Sequence, residues 1–470
     1  MHPAAPVRFT PYGWFVCAWV VTVSFQYGYH ISTLNQIQAV LTCRGADSPV
    51  LHYGIPTCIP MSDATFSLLT SAYTIGGLVG SLSASLVIAR LGRRGTVQYS
   101  SAFFVTGAGL MAISASLPPL LFGRLLCGVG AGTGLCVGPI FLNEIAPVAI
   151  RGSVGVLTQM AIVLGILVTQ CLGLWLATPR DWRFVLLFSS FLSVAQLLVS
   201  GFVVETPVWL KKTGKLEALK AAEKKLWNIT APLISASVSA DVEDPLLDDV
   251  EAADHDSHLE HAVAHNQAAV SISQLFTDRS LYRSPLIVTA SAMISAQISG
   301  INAVLYYSNN ILSRSLPELG PYVSLGITIV NALMTFPPII LIERWGRKKL
   351  LFTSIGGILV SLILVSWGLN SGLVVLSSVA IMTFVMSFAI GLGPIPFIIV
   401  PEVSPQHAVS ALSSFGLSLN WIVNFCVGLV FLPLRNFLSG GDPAKEGYVF
   451  YFFVAGLSLS SLILYRNYHG

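Results

Sequence analysis

Arg90-Leu91-Gly92-Arg93-Arg94 returns about 255 residues later as Arg344-Trp345-Gly346-Arg347-Lys348, and Glu144-Ile145-Ala146-Pro147 returns at nearly the same offset as Glu402-Val403-Ser404-Pro405. Two independent motifs that share one offset point to a duplicated unit. The sequence around each copy is strongly apolar. The chain has 470 residues, 54% hydrophobic and only 10% charged, where soluble domains carry roughly 25% charged residues. Nearly half of the charged side chains crowd between Glu205 and Arg283, which leaves the remainder membrane-like.

A bilayer hydrocarbon core about 30 Å thick needs roughly 20 apolar residues per helix. About twelve such runs occur, near 12–34, 64–89, 95–116, 119–142, 152–176, 183–204, 285–312, 321–343, 349–370, 372–402, 408–434 and 447–467. Their Gly and Ser content suits close helix packing in lipid. The expected fold is an all-α membrane protein, with twelve transmembrane helices in two pseudo-symmetric six-helix bundles related by an axis along the membrane normal. The bundles span 1–204 and 285–470, and residues 205–284 form a loop that is partly helical and partly disordered. The first run holds Gln26, Tyr27 and His30 and lacks a basic leader, so it reads as a span rather than a signal peptide.

Basic clusters at Arg90 to Arg94, Lys211 to Lys225 and Arg344 to Lys349 all follow even-numbered runs. By the positive-inside rule both termini and the middle loop are cytoplasmic. Arg180, Arg183, Arg314, Arg435 and Lys445 fall on the other side and oppose that reading. A net charge of +3 gives no footprint for a nucleic acid. His255, His258, His261 and His265 recur at near-helical spacing within an acidic tract, which reads as a solvated loop rather than a metal site. Asn228-Ile229-Thr230 fits a glycosylation acceptor but lies on the cytoplasmic side. Cys43 and Cys58 share the polar loop between the first two runs, on the side where a disulfide persists, and are the candidate bridge. The other cysteines read as small apolar fillers.

The duplicated motifs also suggest a mechanism. Each half sets a basic cluster near a glutamate at the end of its fourth helix. Candidate members of a conformational latch are Arg90, Arg93, Arg94, Glu144, Arg151 and Glu205 in the first half, with Glu343, Arg344, Arg347 and Glu402 in the second. A latch that forms in one state and breaks in another is a two-state element.

At a rise of 1.5 Å per residue, Gln159 lies about eight residues into its run, and Asn331 and Asn420 about ten into theirs. All three fall near the midplane. One buried amide by itself is most simply an interhelical hydrogen bond. Several together, with Gln26, Gln170, Gln297, Asn302 and Asn424 and the aromatics Phe397 and Trp421, suit a small neutral polyhydroxylated solute, because a carboxamide both donates and accepts. Ser299-Gly300 and Gly391-Leu392-Gly393-Pro394-Ile395-Pro396 are places where a helix can open around a cavity.

Taken together, Gln26-Tyr27-Gly28-Tyr29, the paired basic turns, Asn143-Glu144 with Pro147, Gln297-Ile298-Ser299-Gly300-Ile301-Asn302-Ala303 followed by Tyr306-Tyr307, Gly393-Pro394-Ile395-Pro396 and Asn420-Trp421 resemble the sugar porter family of the major facilitator superfamily. The likeness covers nearly all the runs and is closer to the facilitative glucose transporters, with a fungal vacuolar branch also similar. It implies that Gln159, Gln297, Asn302, Asn331 and Asn420 line a sugar site, with Phe397 and Trp421 beside them. Ala296, Ala389 and Phe397 stand where glucose carriers have Gln, Glu and Trp, so the implied substrate is a sugar or polyol rather than glucose in particular. Val208 replaces an Arg expected near Glu205, and the expected Pro-Glu-Thr motif after the last run is missing, so a weak latch between the sixth and tenth helices is expected.

In proton-coupled members of the family an Asp in the first helix faces an Arg in the fourth; here those positions hold His30 and Arg124. A fixed cation disfavours the imidazolium, so the switch does not transfer. The expected function is uncoupled transport by a monomer in the plasma or vacuolar membrane. Proton symport is the runner-up, and a sugar sensor with little flux is the alternative. No nucleophile with a base, metal set or phosphate loop supports an enzyme, and no cofactor is expected.

Overall fold

The computed structural model describes residues 8–43, 51–52, 54–228, 270–302, 320–440, 442 and 445–468. Helix α1 (Pro11–Leu41) starts behind Thr10, whose hydroxyl accepts from the Gly13 N–H, with Pro11 in the first turn. Helix α2 (Asp63–Ala112) runs for 50 residues and departs from helical geometry at Gly92, where φ is 76° and ψ is −175°. Only glycine takes that conformation freely, and the break divides α2 into two arms. Helices α3 (Leu117–Ile145), α4 (Arg151–Leu176) and α5 (Trp182–Val199) follow, then the short α6 (Pro207–Lys212) and the amphipathic α7 (Leu216–Leu226).

The second half repeats the plan. It contains α8 (Gln274–Thr277), α9 (Arg279–Ile298), α10 (Gly320–Met334), α11 (Pro337–Trp345), α12 (Arg347–Asn370), α13 (Val374–Ser387), a π-helical turn at Phe388–Leu392, α14 (Ile395–Val403), α15 (Val409–Ser439) and α16 (Tyr448–Asn467). Gly346, the counterpart of Gly92, has φ 78° and separates α11 from α12. Among the described residues nine helices are long and apolar enough to cross a membrane. The second and third runs share α2, the eighth breaks at Thr335-Phe336, and the tenth opens at the π turn. The seventh is described as far as Asn302. The histidines at 255–265, the 229–230 part of the glycosylation motif and Tyr306-Tyr307 lie outside the described residues.

Helices pack closely where glycines face each other. A Cβ at Gly76 or Gly80 of α2 would collide with the Leu125 or Val129 carbonyl of α3, and one at Gly128 or Gly132 of α3 with the Tyr73 or Gly77 carbonyl of α2. The two backbones are therefore in direct contact, as small residues permit in a membrane. Buried polar groups clip the other helices together. Trp19 Nε1 donates to the Gln196 carbonyl at 2.9 Å and Gln196 Nε2 returns a bond to the Trp19 carbonyl at 2.8 Å, because amide and indole groups in an apolar interior must find partners.

Two large apolar cores result, beside a small cluster of Leu275, Tyr282, Ala408, Ala411 and Leu412. One is built from the first half and also takes in Val409, Leu417 and Trp421 of α15; the other is built from the second half and takes in Val156 of α4. At the end remote from the Gly92 and Gly346 turns, a disulfide joins Cys43 and Cys58, with Cα atoms 5.2 Å apart. The same loop is held by Trp182 Nε1 on the Thr57 carbonyl and Arg183 Nη2 on the Pro56 carbonyl, while Arg183 Nη1 caps the Ala112 carbonyl at the end of α2. Arg183 is thus a local clamp, which accounts for a cation on the poorly charged side.

Replacing Gly132 by Ala should force the α2–α3 pair apart and lower the melting temperature of the detergent-solubilised protein by several degrees. Gly428→Ala, which meets nothing within 4 Å, should leave it within about a degree; the comparison is read by thermal-shift chromatography.

Candidate functional site

The amides singled out from the sequence separate into two sets. In the second half, Gln297 Nε2 donates to Asn420 Oδ1 at 3.1 Å, and Asn302 Nδ2 donates to Gln297 Oε1 at 3.2 Å and to Asn424 Oδ1 at 2.6 Å. Asn420 Nδ2 reaches the Met293 carbonyl at 3.5 Å. The helix end at Ser299-Gly300, with φ 78° at Gly300, brings Asn302 back toward Gln297. Gln159, from α4 of the first half, lies against the opened helix: a Cβ at Gly393 would be 3.2 Å from its Nε2. Asn331 is 9% exposed with its Oδ1 unbonded among the described residues.

Gln26 belongs elsewhere. Its Nε2 donates to the Ser189 carbonyl and to Ser193 Oγ, and Ser189 Oγ donates to its Oε1, so it ties α1 to α5 inside one half. His30 joins the same cluster through a 2.7 Å bond between Nε2 and Ser189 Oγ and stacks on Phe104. Arg124 does not meet the imidazole. Its Nη1 donates to the backbone carbonyl of His30 at 2.8 Å and its guanidinium lies 4.4 Å from the Tyr73 ring centre.

Trp421 and Phe397 face the partner half. Trp421 stands edge-on to Tyr27 and Tyr73, each at 5.7 Å, over Gly77, and Phe397 packs on the first core. Nearby, Ser81 Oγ and Ser418 Oγ bond across the halves at 2.9 Å, and Cys136 Sγ approaches the Ser413 carbonyl at 3.8 Å. Sequence reading missed these small groups, because a hydroxyl or thiol in a Ser-rich helix carries no distinguishing pattern.

The charged residues gather at the end that carries the two glycine turns. In the first half, Arg93 Nη2 and Nε meet Glu144 Oε1 at 2.6 and 3.1 Å. In the second, Arg347 Nη2 and Nε meet Glu402 Oε1 at 3.0 and 3.3 Å, the same atoms in the same arrangement. Thr206 Oγ1 donates to the other Glu144 oxygen at 2.5 Å. Glu205 accepts the backbone N–H groups of Arg93 and Arg94, so it is satisfied without the arginine that Val208 replaces. Burial pushes the Glu205 carboxyl above the usual carboxylate range, against the pull of the Thr206 and Arg94 N–H groups and the Arg93 charge.

Glu343 joins the halves. Its Oε1 accepts the Ser153 N–H at the start of α4 at 3.0 Å while its Oε2 pairs with Arg347 at 3.5 Å, and Ser153 Oγ donates to the Ile339 carbonyl at 2.6 Å. Among the described residues, Arg90, Arg94, Arg151 and Arg344 enter no side-chain ion pair.

The two matched pairs differ in burial: side-chain exposures are 8% and 10% for Arg93 and Glu144 but 26% and 21% for Arg347 and Glu402. Arg93→Ala strands a buried carboxylate and should cost about 3 kcal/mol. Arg347→Ala leaves Glu402 partly hydrated and should cost about 1 kcal/mol. Equal losses of thermal stability in the two variants would contradict the difference in burial.

Comparison with known proteins follows the same lines. Residues 16–468 match the family model described as Sugar (and other) transporter. A probable metabolite transport protein of Saccharomyces cerevisiae is 34% identical over 94% of this chain and 90% of its own length. The solute carrier family 2 facilitated glucose transporter member 3 of Canis lupus familiaris is 33% identical over 92% and 85%. A solved structure of the proton:xylose symporter XylE of the major facilitator superfamily, bound to 6-bromo-6-deoxy-D-glucose, superposes with a TM-score of 0.76 at 17% identity, covering 97% of this chain and 95% of that one. The helices, the duplicated charged turns and these matches together place the chain in the Sugar (and other) transporter family, as a multi-pass membrane transporter and not an enzyme, with the fold of the XylE structure.

Proposed function

We propose that the protein carries a neutral hexose-like sugar or a polyol by alternating access, as a uniporter. The bonded set of Gln297, Asn302, Asn420 and Asn424 carries this reading. The three bonds among them each join two carboxamides, and a sugar hydroxyl, which also donates and accepts, can take the place of either partner. Asn331 offers an oxygen that is unbonded among the described residues, and Gln159 approaches from the other half at Gly393. Residues 1–204 and 285–470 act as the two moving bodies of a monomer, with 205–284 linking them on the cytoplasmic side. Both termini face the cytoplasm, in the plasma or vacuolar membrane. The contact of Ser153 with Glu343 holds the halves together on that side and that of Ser81 with Ser418 nearer the midplane, and the Arg–Glu pairs are the latch that must yield when it opens.

Uncoupled transport is supported by the surroundings of His30. A proton taken up by its imidazole would put a second cation near Arg124 in a dry interior; Nε2 of the ring bonds Ser189 Oγ, and Nδ1 has no hydrogen-bond partner among the described residues.

Reconstitution in liposomes with labelled hexoses, pentoses and polyols tests the proposal. Saturable uptake should be insensitive to a pH gradient, and Gln159→Ala and Asn331→Ala should each reduce it about tenfold without loss of folding, the size of one sugar hydrogen bond. Alkalinisation of the medium on adding substrate, absent in His30→Ala, would establish symport instead. Normal uptake by both amide variants would remove the site.

A further inference from the structure

The two glycine turns share one backbone shape and differ in what covers them. At Gly92 the space is filled: a Cβ there would collide with Glu205 Oε2 and lie 2.8 Å from Trp209 Nε1. The carboxylate of Glu205 sits on the Arg93 and Arg94 N–H groups, and the Arg93 guanidinium lies 5.5 Å from the Trp209 ring centre. The first half thus supplies its own anion and its own indole. At Gly346 nothing lies within 4 Å of the same point. An open cleft of about 740 Å³ takes that place, lined by Trp345, Arg347, Lys348, Lys349, Phe352 and Tyr465.

The lining divides by chemistry. Arg347 is already paired with Glu343 and Glu402, so the two lysines carry the free charge. Among the described residues no carboxylate lies within ion-pair distance of either. Each lysine is positioned by an aromatic face instead: Lys348 Nζ is 5.0 Å from the Tyr465 ring centre and Lys349 Nζ is 5.4 Å from that of Trp345. Trp345 and Tyr465 are 49% and 57% exposed at the ends of apolar helices, the setting of rings at a membrane interface. Phe352 meets Tyr465 edge-on at 5.2 Å and makes the cleft apolar on its inner side.

We infer that this cleft holds the headgroup of an anionic glycerophospholipid, its phosphate on Lys348 and Lys349 and the start of its acyl chains along Phe352, in the place that Glu205 and Trp209 fill in the other half. The match of a cationic rim to an apolar floor fits a lipid; a free phosphate ion uses only the rim. Assignment to the cytoplasmic leaflet rests on the orientation proposed above.

The test uses the full-length protein in detergent, titrated with phosphatidylserine, phosphatidylcholine or sodium phosphate, with bound lipid counted by native mass spectrometry. Phosphatidylserine should be retained at least tenfold better than phosphatidylcholine. Lys348→Gln with Lys349→Gln should weaken its binding about 30-fold, from the attraction of two cationic side chains to an anionic lipid, and leave the melting temperature in lipid-free detergent unchanged. Lys211→Gln with Lys212→Gln should leave lipid binding as it is. Equal retention of the two lipids, full binding by the 348/349 variant, or displacement by millimolar phosphate would overturn the assignment. Micelles have no sides, so this result is independent of topology, which labelling of Lys348→Cys from either face of sealed vesicles reads separately.

Discussion

A guanidinium gripping a carboxylate between the third and fourth long segments of each half organises the basic end of the molecule. Arg93 with Glu144 and Arg347 with Glu402 use the same nitrogen and oxygen atoms, and in each case the arginine directly follows a glycine that turns the chain through φ near 77°. The turn is what aims the arginine: an L side chain at either glycine would be strained, and a regular helix through either position would carry the guanidinium away from its partner. Charge and backbone shape are one constraint here. The contact between the halves is built on it, since Glu343 reaches Ser153 from the same cluster that holds Arg347.

Polar chemistry deeper in the bundle is unevenly shared. The first half spends Gln26, His30, Gln196 and their serine partners on joining its own helices. The second half bonds its amides to one another beside a helix end. Gln26, His30 and Gln196 are held by serine hydroxyls and backbone carbonyls of a neighbouring helix, whereas an amide bonded to its like can exchange partners at little cost. The first half therefore reads as the stiffer wall and the second as the adaptable one, with Gln159 reaching across from the stiff side.

Much of this was legible from residues alone. Hydropathy located the helices because lipid demands long apolar runs, and the repeat offset paired Arg93 with Arg347 and Glu144 with Glu402 before any geometry. Three features were not legible. The arms of α2 join without a loop, because a single positive-φ glycine turns the chain sharply between two helical arms. Gln26 carries the same side chain as Gln159, and only its bonds to Ser189 and Ser193 reveal that it ties α1 to α5 inside one half. The direction of Trp421 cannot be read from its place after Asn420, because consecutive residues of a helix point about 100° apart; its indole meets Tyr27 and Tyr73 of the other half.

That seating of Trp421 over Gly77 makes neighbouring residues of α15 answer to different bodies. Asn420 is bonded within its own half, to Gln297, while the next side chain is wedged between Tyr27 and Tyr73 of the other. A roll of α15 that relieves one grip must disturb the second, so under the proposed site a solute that re-bonds Asn420 would also pull on the indole, and the helix would work as a crank between cargo and cleft.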